Sequence, residues 1–453
     1  MRSRASAGGS QVRVLSGLAL LLIAIVFGGG GSGAGFFNLA VQAASLAVLA
    51  INFDLVARFA GRAPRPAVAL IVLSALFPLL QCIPLPPAVW QALPGRALVH
   101  DSLQLVGEQD SWRAFSVVSQ RTLVAFFSLV PPFALIVLTW DLPGEERRKF
   151  LAAIVGGAIF VTLLGAQQLA LDNRHLMLFS ETVGSRDLQG TFANRNSAGL
   201  FLDAALCALV ALLPFGRRKP MHMWAAAGIA ALLLVGLVLT RSRSSMALVI
   251  VPMLFLALRM WKSGLFARLR GRFAILALVG VAVVAAAAIG LVADNRRVQV
   301  SLGRFDELQD ARPLIWSDAV GSVSRFWPLG SGIGTFDEVF QIDESLENLG
   351  PGRAARAHND YLEVALESGV PGLALVAAWA VLLGLLAWRA VRRGGDVVVA
   401  VPVLGLFAIQ SILDYPLRNQ TLLCVAGLMI ALMLGSHVRQ GDRRGPREAD
   451  LRN

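Results

Sequence analysis

Charge is scarce in this sequence. Of its 453 residues only 15% are Asp, Glu, Lys or Arg, while 56% are hydrophobic. That balance excludes an ordinary water-exposed surface over most of the chain. Cysteine is scarcer still. Cys82, Cys207 and Cys424 are far apart and each lies in an apolar run, which excludes a disulfide framework and leaves three small buried residues. No internal repeat is visible, so the repeated halves common among transporters find no support. What is present instead is a series of apolar runs reaching about twenty residues, the mark of a polytopic helical membrane protein.

The runs predict about twelve spans: residues 14–27, 37–56, 67–85, 122–140, 150–171, 197–215, 223–240, 245–260, 273–293, 371–388, 397–413 and 421–436. Arg2, Arg4 and Arg13 precede the first run, but residues 28–35 offer no Ala-x-Ala cleavage site, and an uncleaved anchor is expected. The net charge of +12 reads as topology. With the N-terminus inside, Arg58, Arg62 and Arg65, then Arg147, Arg148 and Lys149, then Arg217, Arg218 and Lys219, then Arg389, Arg392 and Arg393 all fall in inner loops, as the positive-inside rule requires. Nucleic acid is not implied. The outer loops are then 28–36, 86–121, 172–196, 241–244, 294–370 and 414–420. The expected organisation is nine spans over 1–293, a large outer loop over 294–370, three spans over 371–438 and a basic inner tail over 439–453. A loop as long as 294–370 is usually functional.

The unusual polar motifs all fall in the outer loops. Asn194, Asn196 or Ser197 can cap the sixth span, leaving its positive end outward beside Arg195. That arrangement suits a phosphate, or is an ordinary capped helix with an interfacial Arg. Arg241 and Arg243 share one short outer turn, against the positive-inside trend. Two Arg there can bind phosphate bidentately or snorkel to head groups. Arg312-Pro313 predicts a helix start, with 314–327 forming a surface helix rich in Trp and Phe; Arg304 precedes it. The glycines of 328–336 are a permissive turn or a close approach to substrate. Asp360 with Glu363 reads as a capping box, which sets His358 just ahead of a helix at the membrane surface. There it is an interfacial His or a base for a sugar hydroxyl. Asp203, two turns inside the sixth span, is an intramembrane acid for which an Arg partner is expected. Trp90 and Trp112-Arg113 read as an interfacial amphipathic segment.

Together these pieces resemble the O-antigen ligase/polymerase family of bacterial inner-membrane glycosyltransferases. The likeness rests on Gly190-Thr-Phe with Asn194-x-Asn196, Ser242-Arg243, Arg312-x-x-x-Trp316, Pro328-x-Gly-x-Gly332-x-Gly-x-Phe336, His358-Asn359-x-x-Leu362 and Glu367-x-Gly369, with support from 84–90. It implies a GT-C-like all-α fold and a multi-pass protein whose termini are cytoplasmic and whose active face is periplasmic. The donor would be an undecaprenyl-pyrophosphate-linked glycan and the acceptor a hydroxyl of lipid A–core or of a growing polysaccharide. The likeness carries catalysis onto His358 and Arg312, and pyrophosphate binding onto Arg243, Arg312, Arg241 and Arg195. Asn194, Asn196, Trp316, Asn359, Glu367 and Asp203 are the supporting candidates. Arg241 departs from the family pattern.

The chemistry of the residues agrees. A glycosyl pyrophosphate needs its departing charge neutralised, which fixed Arg side chains can do, and an acceptor hydroxyl relieved of its proton. No Asp-x-Asp stands in the outer loops, so a reaction without metal or cofactor is expected. Three rivals remain: a lipid-linked oligosaccharide flippase, a peptidoglycan-type polymerase using Asp318 or Glu367, and a non-catalytic scaffold.

Overall fold

The computed structural model describes residues 2–31, 34–214, 220–264, 312–346 and 354–444. The expected span 273–293 and Arg304 lie outside the described residues, as does much of the large outer loop and the end of the tail. The chain runs through α1 (Arg2–Phe27), α2 (Gly35–Ile51), α3 (Phe53–Arg62), α4 (Arg65–Gln81), α5 (Pro87–Trp90), α6 (Ala97–Gln104), α7 (Ser119–Ser128), α8 (Val130–Thr139) and α9 (Gly144–Ala170). It continues through α10 (Arg195–Leu212), α11 (Pro220–Leu239), α12 (Arg243–Leu248), α13 (Ile250–Lys262), α14 (Arg312–Phe326), α15 (Phe336–Phe340), α16 (Asp360–Arg393), α17 (Ala400–Leu413) and α18 (Gln420–Arg444).

Eleven of the expected runs fall on these helices. Among the described residues, seven helices are long and apolar enough to cross a membrane, or eight if one bent pair counts as a span. The count of twelve is therefore not established. The bent pair is α2 and α3, where one straight span over 37–56 was expected and the axis instead turns by 79°. The reason is local. The side chain of Asn52 donates to the carbonyl of Val48, and α3 then places Leu55 and Phe59 inside while Asp54 and Arg58 pair on its outer face. A helix so divided cannot continue into hydrocarbon and turns along a surface instead.

The centre of the bundle is α10, where 89% of the residues of the span are buried. Its sequence alternates Ala and Gly with Leu and Phe, so neighbouring backbones come close. At Gly199 an added Cβ would stand 2.4 Å from the Ser245 hydroxyl; only glycine lets the start of α12 pack there. Large apolar side chains such as Leu254, Trp261, Leu385 and Trp388 face outward on the surrounding helices, as lipid-facing positions should.

The loop between α4 and α7 is folded. β1 (Pro84–Leu85) pairs antiparallel with β2 (Arg113–Ala114), Pro84 opposite Ala114. Trp90 is buried, not interfacial as expected: its indole donates to the Ser111 carbonyl and anchors the loop, while Trp112 is exposed. This loop docks on 330–335, where the Val117 amide donates to the Ser331 carbonyl and the Ile333 amide to the Gln81 side chain.

Candidate active site

The loop before α10 is stitched to α9, to α1 and to the turn that follows α1, and that fixes where α10 begins. The Gly190 amide and carbonyl both bond the Gln168 amide side chain, Thr191 donates to the Ile25 carbonyl, and the Ala193 amide to the Gly29 carbonyl. Asn194 is the cap: its Oδ1 accepts from the Asn196 amide at 2.7 Å. Asn196 in turn accepts the Ser242 hydroxyl at 2.8 Å. Ser242 is the cap of α12, which opens at Arg243. Two helix starts are thus tied side by side, both with positive ends facing the same way. Gln410 of α17 donates to Ser244 and joins a third element to them.

Arg195 and Arg241 converge on one acid. Arg195 Nη1 lies 2.9 Å from Asp187 Oδ2 and Arg241 Nη1 lies 3.3 Å from Asp187 Oδ1. Arg241 adopts a positive φ of 55° and is largely buried. Asp203 is fully buried in α10, and neither carboxylate oxygen has a hydrogen-bond partner. Among the described residues the expected Arg partner is not found; Arg195 goes to Asp187 instead.

His358 lies immediately outside α16. Its φ is +50°, a left-handed conformation that costs energy for any residue but glycine. Its Nδ1 lies 2.9 Å from Asp414 Oδ1, and its ring lies 5.1 Å from that of Tyr415. Asp414 also accepts from Asn194 Nδ2 at 3.2 Å. A carboxylate only accepts, so His358 Nδ1 donates, and in the neutral ring the lone pair is then on Nε2. Burial, with the adjacent Asp414, pushes the Tyr415 phenol well up and keeps it neutral. The His358 side chain remains 33% exposed, open to a reacting group.

Two devices hold His358 there. Trp316 Nε1 donates to the carbonyl of Ala357, the preceding residue, at 2.7 Å. Because α14 opens at Arg312-Pro313 as expected, Arg312 lies one turn before Trp316 and on the same face. The second device is the first turn of α16. Its cap is Asn359, whose Oδ1 accepts from the Leu362 amide. The capping box expected of Asp360 and Glu363 is not formed; Glu363 reaches past the cap to the Ala357 amide at 3.0 Å.

Asp360, Glu363 and Glu367 all face inward from α16 and are buried. Arg418 answers them. Its guanidinium lies 2.6 Å from Glu367, 3.2 Å from Glu363 and 3.8 Å from Asp360. Burial lowers the tendency of Arg418 to hold its proton, but Glu367, Glu363 and Asp360 more than offset that, and its pKa lies above the ordinary value. Arg356 adds a second cation, 3.3 Å from Glu363. Glu367 Oε1 also accepts the Phe336 amide.

The glycine stretch serves this cluster. Gly330, Gly332 and Gly334 all have positive φ, and the Ser331 and Gly332 amides donate to the Leu366 and Glu367 carbonyls. α16 breaks at Gly369, with φ 53° and ψ −145°, where an added Cβ would stand 2.0 Å from the Pro328 carbonyl oxygen. The close approach is made by the protein's own backbone. Among the described residues no three His, Cys, Asp or Glu are grouped to hold a metal ion.

Asp414, Tyr415, Arg356 and Arg418 were not singled out in the sequence. One signal pointed their way: acids at 360, 363 and 367 share a helix face and require a buried cation.

Long apolar helices with a polar cluster gathered at helix starts define a multi-pass membrane protein. Residues 228–377, about a third of the chain, match the family model described as O-antigen ligase. This segment of the chain is therefore similar to the O-antigen ligase family, a likeness that supports a membrane glycosyltransferase-like role. No curated protein matches this chain. The matched segment holds Arg241, Arg243, Arg312, Trp316, His358, Asn359 and Glu367. Asn194, Arg195, Asn196, Asp203, Asp414 and Arg418 stand outside it.

Proposed function

We propose that the protein transfers an undecaprenyl-pyrophosphate-linked glycan to an acceptor hydroxyl of lipid A–core or a growing surface polysaccharide. The reaction takes place on the periplasmic face of the inner membrane, with 294–370 as the catalytic loop. The observation that carries this reading is the His358–Asp414 contact. Asp414 holds the ring by Nδ1 and leaves Nε2 to take the proton of the acceptor hydroxyl. As that proton moves, the acceptor oxygen forms its bond to the anomeric carbon. The bond from that carbon to the phosphate oxygen breaks, and the pyrophosphate leaves with the electron pair. A single displacement inverts the anomeric centre.

The leaving charge falls to Arg243 and Arg312, while Arg195 and Arg241 are held on Asp187. The capped starts of α10 and α16 add the positive ends of their dipoles. Arg243 is assigned ahead of Arg241 because Arg241 is buried against Asp187. The reaction is read as metal-independent, since Asp360, Glu363 and Glu367 are engaged by Arg418 and by backbone amides. The same engagement speaks against a carboxylate base at Glu367, and Asp318 is held by Ser345.

The test is expression of His358→Ala and Arg312→Ala in a strain deleted for the gene, with membrane levels confirmed and envelope polysaccharides run on a gel. Loss of long-chain polymer at normal protein level is expected. Full-length glycan stranded on the lipid carrier marks a ligase, and single repeat units mark a polymerase. Wild-type polymer from both variants would sink the assignment and favour a flippase or scaffold.

A further inference from the structure

The folded loop between α4 and α7 holds a buried charge with no acid beside it. Arg96 is 3% exposed. Its guanidinium donates to the carbonyl of Phe115 at 2.6 Å and, more weakly, to that of Pro94 at 3.4 Å. It lies 5.7 Å from the ring centre of Phe115 and 5.3 Å from that of Phe326. No carboxylate pairs with it among the described residues. A guanidinium carries five N–H donors, so two carbonyls leave most of them unused. Burial pulls its pKa down to about 10, and it is still cationic at neutral pH. A buried charge without a counter-charge is costly unless something else supplies one.

Beside this charge is a cavity of about 150 Å³. Its lining includes Trp90, Arg96, Leu103, Arg113, Ser116 and Ser119. Arg113 is already neutralised by Glu108 at 2.7 Å, so the unanswered charge is that of Arg96. The lining combines one aromatic, two hydroxyls and two guanidinium groups with the apolar Val99, Leu103, Ala114 and Val117, a mixture suited to a sugar bearing an acid group. The position is connected to the candidate active site. Phe326 ends the helix that begins at Arg312, and Ser116 packs on Gly332, whose amide bonds the Glu367 carbonyl.

We propose that the Arg96 cavity is a subsite for an acidic saccharide unit, binding the carboxylate or phosphate substituent of a sugar residue in the glycan. The subsite rests on the reading of the protein as a glycan-transferring enzyme, and it selects which glycan is handled rather than performing the transfer.

The test is thermal unfolding of the detergent-solubilised full chain with D-glucuronate, inorganic phosphate or D-glucose, and of the chain in nanodiscs with or without phosphatidylglycerol. Glucuronate is expected to raise the midpoint at millimolar concentration, phosphate less so, and glucose not at all. Leu103→Trp, which fills the cavity without touching the charge, is expected to keep the unliganded midpoint and lose the shift. Arg96→Gln is expected to lose it also, and His358→Ala to retain it. Absence of a glucuronate shift, or an undiminished shift in Leu103→Trp, overturns the proposal. So does a response to phosphatidylglycerol alone, which would make the cavity a lipid head-group site. Glucuronate binding that persists while His358→Ala leaves polymer formation intact would remove the transferase reading and leave the subsite standing.

Discussion

His358 and Asp414 stand 56 residues apart in the chain and 2.9 Å apart in space. The pairing crosses from the start of α16 to the loop between α17 and α18, and Asn194 joins the same carboxylate from a third segment. In the proposed reaction His358 is useful as a base only if its ring is held in one tautomer and one orientation, and the Asp414 contact favours both.

Asp414→Asn is therefore expected to lower the transfer rate by about 10²–10⁴-fold, the usual worth of a positioned general base. Asparagine can offer Nδ1 an N–H as readily as an oxygen, so the tautomer is no longer fixed. Transfer in proteoliposomes from a lipid-linked donor measures it. A rate within threefold of wild type, at equal folded protein, would remove Asp414 from the mechanism.

The two Arg of the 241–244 turn should separate. Arg243→Ala is expected to cut transfer by about 10²–10³-fold, the cost of removing one donor to a developing anion. Arg241→Ala removes a buried ion pair to Asp187, so its first effect should be on the thermal midpoint. Transfer per folded molecule should fall much less. Equal catalytic losses with unchanged midpoints would contradict this division of roles.

Arg418→Ala leaves Asp360, Glu363 and Glu367 buried without their shared cation. Breaking a buried pair this way costs about 3–5 kcal/mol, and unfolding in detergent is expected to show it. Pairing Arg418→Ala with Glu367→Gln should recover part of the loss, because one of the stranded charges goes with it. A single variant as stable as wild type would show that the cluster is not holding α16.

Gly369→Ala addresses the break in the same helix. A residue other than glycine there costs about 1–3 kcal/mol in backbone strain, and its Cβ would meet the Pro328 carbonyl. Lower stability is expected, together with reduced transfer as the Pro328–Phe336 segment is pushed off Glu367. An alanine variant with an unchanged midpoint would show that the break relaxes freely.

What could be read in the sequence was local. The helix opening at Arg312-Pro313 and the turn between Leu239 and Arg243 depend on residues within a few positions of one another and were found where the pattern set them, while the cap fell on Asn194, one of three candidates with Asn196 and Ser197. The bend at Asn52 is also local, but it was hidden by a hydrophobic run that continues through Phe53 and Leu55. Arg418 and Asp414 were not legible for a different reason. They sit in a short loop of ordinary composition between α17 and α18, and their meaning comes from partners 51 and 56 residues away. The glycines of 328–336 read either as a permissive turn or as a close approach to substrate. What approaches is the Glu367–Gly369 backbone, a pairing that no local pattern encodes.

The stitching of Gly190, Thr191 and Ala193 to Gln168, Ile25 and Gly29 bears on how such a protein can be cut and recombined. Asn194 inherits its position from α1 and α9, and Asp414 inherits the orientation of its carboxylate partly from Asn194. Grafting the segment 228–377 into a relative would transplant the histidine while leaving behind the acid that orients it and the loop that steadies the acid. Working hybrids are expected only where the crossover keeps residues 25–29, 168–196 and 414–418 from the same parent as His358.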